Sequence, residues 1–278
     1  MTTMAITAAE INKLRQMTGA GMMDCKKALT EANGDFEKAI DELRKKGQKV
    51  AANRSDRDAK EGVILAKTTA DNKRGVVLGI NCETDFVAKN EDFGKFTANV
   101  LEIAIAKKPK NADELKSLAY DNNITIADKL IEQTGVIGEK IELTKYEVVE
   151  APYVIAYNHP GNRLATIVGF NSATVSNEIA KDVAMQVAAM APVAVDKDDV
   201  STDTLQREIE IGKEQARQEG KPEDMLEKIA MGKLNKFYKE STLLNQEFIK
   251  DNKKTVAQYL TGSEKGLTVT GFKRIALS

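Results

Sequence analysis

The chain has 278 residues, with 41 Lys and Arg against 42 Asp and Glu, one histidine, two cysteines and no tryptophan. Acidic and basic residues are interspersed, so no nucleic-acid footprint stands out. One histidine and two distant cysteines leave no material for a zinc site or a multi-histidine centre. No apolar run reaches membrane-spanning length, no secretory h-region is recognised, and neither Gly-x-x-x-x-Gly-Lys-[Ser/Thr] nor Gly-x-Gly-x-x-Gly occurs. A cytoplasmic protein that itself holds no metal, cofactor or nucleotide is therefore expected.

In chain order, Thr7-Ala8-Ala9-Glu10 is a capping box. It opens a helix with Ile11, Leu14 and Met17 as its stripe, broken by Thr18-Gly19-Ala20-Gly21. A second helix over 22–32 buries Cys25, Ala28 and Leu29 and stops at the left-handed pair Asn33-Gly34. Its neighbouring Met22 and Met23 cannot both face one core, so one is expected outside as a soft contact surface. Asp35 caps a third helix with stripe Phe36, Ala39, Ile40 and Leu43, ending near Gly47. Together they predict a small orthogonal bundle of about 45 residues. Residues 51–61 are charged, lack an apolar period and read as a linker.

Strands are expected at 62–68 and 74–82, turning at Asp71-Asn72-Lys73, with a buried run over 75–80. A helix over 90–106 follows, with Phe93, Phe96, Val100 and Ile103 as its stripe and Pro109 as its end. Short helices at 112–120 and 126–133 precede a loop, Gly135-Val136-Ile137-Gly138-Glu139. A strand at 140–150, a hairpin of 153–157 with 164–170, and a helix over 177–190 come next, the helix with stripe Ile179, Val183, Val187 and Met190. Hairpin, loop and helix have then occurred twice. The pattern predicts an α+β fold with a pseudo-duplicated core, two antiparallel sheets each with helices on one face. Helices over 201–219 and 223–236 turn at Gly220-Lys221-Pro222 and read as an antiparallel helical hairpin projecting from the body. Their thin seam is Leu205 and Ile209 with Met225, Leu226, Ile229 and Leu234. A short helix at 255–260 and a strand at 267–275 returning to the second sheet close the pattern. Domain boundaries are expected at 1–57, 58–140 and 141–278, with the hairpin inserted at about 200–237.

Chemistry concentrates between the buried strand and the helix after it, in Ile80-Asn81-Cys82-Glu83-Thr84-Asp85-Phe86-Val87-Ala88-Lys89-Asn90. Phe86 stands between Asp85 and Lys89, where it either folds back as a local core residue or stands out as an apolar plug beside a carboxylate. Cys82-Glu83 with His159 can be drawn as a thiol centre. But a strand-end cysteine is more simply a small buried hydrophobe, and His159 lies in a Pro-Gly turn. Glu83 and Asp85 are only two potential metal ligands, too few for a site.

Two stretches carry a resemblance: Leu14-Arg15-Gln16-Met17-Thr18-Gly19-Ala20-Gly21-Met22-Met23-Asp24-Cys25-Lys26-Lys27-Ala28-Leu29, and Thr84-Asp85-Phe86-Val87 within its frame. Both resemble signatures of the bacterial translation elongation factor Ts family, guanine nucleotide exchange factors of the GTPase elongation factor Tu. The likeness runs the whole length and is strongest in 7–47 and 75–90. It implies a ubiquitin-associated-like three-helix domain at the N-terminus and a coiled-coil protrusion at the helical hairpin. It also implies that Arg15, Met22 and Met23 dock on the GTPase domain. The ring of Phe86, within Thr84–Val87, would enter an apolar pocket while Asp85 helps to disturb the bound magnesium ion, so that GDP leaves. Ile137, Gly138 and His159 would support the same contact. A family lysine one turn before the arginine is Asn12 here. No catalysis and no direct nucleotide, nucleic-acid or membrane binding are implied. A general helical adaptor remains the other class to separate.

Overall fold

The computed structural model describes residues 6–121 and 124–277. Its first helix, α1 (Ala8–Thr18), starts where the capping box predicts. The Glu10 amide donates to the Thr7 hydroxyl at 3.3 Å, and the Thr7 amide donates back to the Glu10 carboxylate at 2.7 Å. Helix α2 (Met22–Glu31) ends at Asn33 and Gly34, both left-handed, and the Asp35 side chain caps α3 (Phe36–Asn53). Ile11, Leu14, Cys25, Leu29 and Ala39 form the core of these three helices.

Three expectations here are corrected. Met17 is 55% exposed: on a helix it lies well off the line of Ile11 and Leu14, and Thr18 takes the next inward place, its hydroxyl donating to the Leu14 carbonyl. Met22 and Met23 are both exposed rather than one of them. And α3 does not end near Gly47 but runs on to Asn53, so the expected linker is helical at its start.

Gly47 is a contact point. It meets α7 (Ile126–Ile137), which also outruns its expected end at 133 and takes in part of the expected loop 135–139 before Gly138 caps it at φ 81°. A Cβ on Gly135 would lie 2.5 Å from the Cα of Gly47, and one on Gly47 would lie 3.2 Å from the Ile131 carbonyl oxygen. The two glycines let the helix backbones touch. Neither is a breaker.

Strands β1 (Glu61–Thr68), β2 (Arg74–Cys82) and β3 (Glu142–Glu150) form a sheet in the order β1-β2-β3. Between β2 and β3 lie α4 (Asp85–Ala88), α5 (Glu91–Lys107), α6 (Ala112–Ser117) and α7. Helix α6 stops short of 120 because the backbone at Tyr120 turns to donate to the Ile124 carbonyl. The chain divides into two compact units, one of residues up to 65 and 78–146, the other of 66–77 and 147–276. The strands of this sheet lie partly in each.

In the second unit, β4 (Tyr153–Asn158), β5 (Leu164–Phe170) and β8 (Val269–Ala276) pair antiparallel in the order β4-β5-β8. Helix α8 (Asn177–Met190) covers the sheet with Ala180, Val183, Ala184 and Val187 against Val168 and Phe170. Met190 is 45% exposed and leaves that stripe, since Ala184 and Ala188 fill the inward face. Helices α9 (Thr202–Gln218) and α10 (Glu223–Ser241) are antiparallel, and the expected seam residues Leu226 and Leu234 are joined there by small ones. Gly212 and Ala216 meet Leu226, Ala230 and Leu234, and a Cβ on Gly212 would lie 3.2 Å from the Cα of Ala230. Met225, one residue off the buried line of Leu226, Ala230 and Leu234, stays 44% exposed. A two-stranded sheet, β6 (Glu247–Phe248) with β7 (Asp251–Thr255), was not anticipated, and α11 (Val256–Ser263) begins one residue past its capping threonine. No helix among the described residues is long and apolar enough to cross a membrane.

Candidate functional site

The link from β2 to α5 is not an open loop. Thr84 stays extended (φ −123°) and its hydroxyl accepts the Val87 amide, which closes Asp85–Ala88 into the single turn α4. Asn90 then caps α5, accepting the Asp92 amide at 2.8 Å. A capped turn between two caps leaves little backbone freedom, and it carries Phe86. That ring is 84% exposed, the most exposed large apolar side chain among the described residues. Of the two readings the sequence left open, the fold-back is therefore overturned. Lys89 donates to Asp85 at 2.6 Å, one helical turn away, and this bond holds the Asp85 carboxyl below its ordinary range, so it is anionic at neutral pH.

Val87 is half-buried and lines an open cleft of about 460 Å³ together with Met17, Phe93, Phe96 and Ile137. Ile137, the last residue of α7, lines this cleft with Val87, and Gly138 is the left-handed cap of α7 in the same unit. Arg15, Met22 and Met23 are exposed on α1 and α2 of the same unit. His159 belongs to the second unit, in the exposed turn between β4 and β5, with its Nδ1 3.0 Å from the Tyr157 hydroxyl.

The carboxylates beside the turn have separate partners. Glu83 accepts from Arg54 at 2.7 Å, from Arg57 at 3.4 Å and from the Lys140 amide at 2.7 Å. Burial works to raise its proton affinity, but the Lys140 amide and the two guanidinium groups outweigh it and hold the carboxyl below its ordinary range. With Asp85 bound to Lys89, the pair does not converge on a common point. Among the described residues no cluster of three metal-ligating side chains occurs. The residues missed in the sequence are Arg54, Arg57, Glu139 and Lys140. For Arg54 and Arg57 the signal was the charge of the supposed linker; Glu139 and Lys140 carried none.

Cys82 is fully buried, and its thiol is pushed up to about 12, by burial first and then by Glu139 and Glu61. Cys25 is raised in the same direction, again chiefly by burial. Since the thiolate is the reactive form, neither cysteine is expected to react with a thiol reagent at neutral pH until the chain unfolds. Rapid stoichiometric labelling of the native protein at pH 7.5 would contradict this.

The chain is an α+β protein whose candidate site is an exposed apolar ring on a capped turn, beside an anionic carboxylate and an open cleft. It matches the family model described as Elongation factor TS over residues 83–278. It is 54% identical over 275 residues to the elongation factor Ts of Cytophaga hutchinsonii, covering 98% of this chain and 99% of that relative. With the elongation factor Ts of Flavobacterium psychrophilum it shares 55% identity over 274 residues, 98% of each chain. With that of Porphyromonas gingivalis it shares 52% over 277 residues, 99% of each. The chain belongs to the elongation factor Ts family, and so to the translation elongation factors.

Proposed function

We propose that the chain binds elongation factor Tu carrying GDP and accelerates GDP release, so that GTP can rebind. In this reading Phe86 enters an apolar pocket of the GTPase while Asp85 helps to dislodge the magnesium ion that ties the nucleotide to its loop. Helices α1–α3 act as a ubiquitin-associated-like docking domain through Arg15, Met22 and Met23. Ile137, Gly138 and His159 extend the contact, α9 and α10 form a protruding coiled coil, and the protein works in the cytoplasm. The division at 1–57, 58–140 and 141–278 is the functional one. The observation that carries this reading is the exposure of Phe86 on its capped turn.

The energetics favour the ring over the charge. A factor that weakens nucleotide binding is itself weakened by nucleotide to the same degree, and strong acceleration needs coupling above the usual 1–3 kcal/mol, roughly. Exposed ion pairs contribute little, whereas a buried aromatic anchor loses about 2–4 kcal/mol on truncation. The test is release of a fluorescent GDP analogue from elongation factor Tu, followed by stopped flow with increasing chain. A concentration-dependent, saturating acceleration is expected. A rate that stays at the spontaneous value overturns the reading.

A further inference from the structure

We propose that Glu139 is a positioning residue for Phe86: it fixes the direction in which the ring leaves the surface. The inference rests on the exchange reading above for its functional part and on geometry for the rest. One oxygen of the Glu139 carboxylate accepts two consecutive backbone amides, Glu83 at 3.1 Å and Thr84 at 3.0 Å. The other accepts the Thr84 hydroxyl at 2.6 Å. Successive amides of this kind form a small anion-receiving concavity, here filled by a side chain from the far end of α7. Glu83 returns the arrangement, its carboxylate accepting the Lys140 amide and Arg54, both at 2.7 Å, and remaining only 12% exposed. The Lys140 ammonium donates in turn to the Ser55 carbonyl at 2.9 Å. Residues 83–84 and 139–140 thus exchange carboxylates for each other's amides, and the chain just past α3 is drawn into the same knot.

The clasp matters because the other ties on α4, the Cys82 thiol on the Thr84 carbonyl at 3.2 Å and the half-buried Val87, do not fix the Thr84 hydroxyl that caps the turn. A single four-residue turn is unstable by itself, and its own cap is one long bond of 3.5 Å. An 84% exposed ring has no packing to orient it. The Thr84 hydroxyl donates to Glu139 and accepts from Val87, so orientation passes from Glu139 through Thr84 into the turn. A ring already aimed avoids the ordering cost that a floppy one meets on binding.

Two measurements on the full-length chain decide the matter. In the free protein, Glu139→Ala is expected to speed hydrogen exchange at the Glu83, Thr84 and Val87 amides by more than about tenfold while the amides of β2 keep their protection. Unchanged exchange there overturns the clasp, whatever the protein does to a GTPase. In GDP release, Glu139→Ala is expected to lower the stimulated rate by about tenfold or more in the wild-type background, but by less than about twofold when Phe86 is already alanine. Equal losses in both backgrounds would make Glu139 merely structural and overturn its positioning role. Should the alanine variant fail to fold, Glu139→Gln, which keeps one acceptor oxygen, carries the same cycle. If the wild-type chain does not stimulate release at all, the exchange reading falls, and the amide measurement still decides the clasp.

Discussion

Replacing Phe86 by alanine is expected to leave the fold and melting temperature nearly unchanged while cutting stimulated GDP release by a factor on the order of 30 to 1,000. That factor corresponds to the roughly 2–4 kcal/mol that truncating a buried aromatic anchor costs at an interface. The split follows from where the ring stands. With 84% of its surface already in water, it contributes almost nothing to folding, and alanine is the better helix former within α4. Circular dichroism and thermal melting check the first half, stopped-flow release the second. Wild-type release in a folded Phe86→Ala variant removes the ring from the mechanism. Asp85→Asn, which keeps the shape and removes the charge, is expected to do less harm, since exposed charges couple weakly.

The second large effect is expected at Gly135. Helix propensity alone says that alanine should stabilise the interior of α7 by up to about 1 kcal/mol. Contact geometry says the reverse. The new Cβ would sit 2.5 Å from the Cα of Gly47, a backbone atom that cannot swing aside as a side chain can. Overpacking of this kind costs about 1–3 kcal/mol before any propensity gain is subtracted. Net destabilisation is therefore expected for Gly135→Ala, and more for Gly135→Val. Gly94 in α5 is the control, because nothing lies within 4 Å of a Cβ placed there. Gly94→Ala should be stabilising by about 0.5–1 kcal/mol. If denaturant midpoints move the same way for both alanine variants, the account of the α3–α7 crossing is wrong. Because Ile137, Gly138 and Glu139 lie within a helical turn or so of Gly135, Gly135→Val should also slow GDP release.

The parts of this fold legible in the sequence are those set by local rules. The caps at Thr7 and Asp35, the left-handed stop at Asn33-Gly34 and the bounds of β2 and α8 all follow from side chains within a few residues of the feature. What escaped is set by partners distant in sequence. Gly47 and Gly135 look like breakers in a linear reading, since glycine weakens a helix wherever nothing rewards its missing side chain; the reward is another backbone, visible only once α3 and α7 cross. The small residues of the α9–α10 seam escaped for the same reason, because a search for large apolar residues selects Met225 and passes over Gly212 and Ala216. Phe86 stood out through contrast with Asp85 and Lys89. Glu139, whose partners lie more than fifty residues earlier, gave no sign.

The order β4-β5-β8 has one more consequence, for how the chain is made. Residues 171–268, including the whole α9–α10 pair, are synthesised before β8 can take its place beside β5. Until then the almost wholly buried strand Leu164–Phe170 shows one naked hydrogen-bonding edge. A nascent or prematurely terminated chain lacking β8 is therefore a sticky object, and it is at this stage that a chaperone or a protease would meet it.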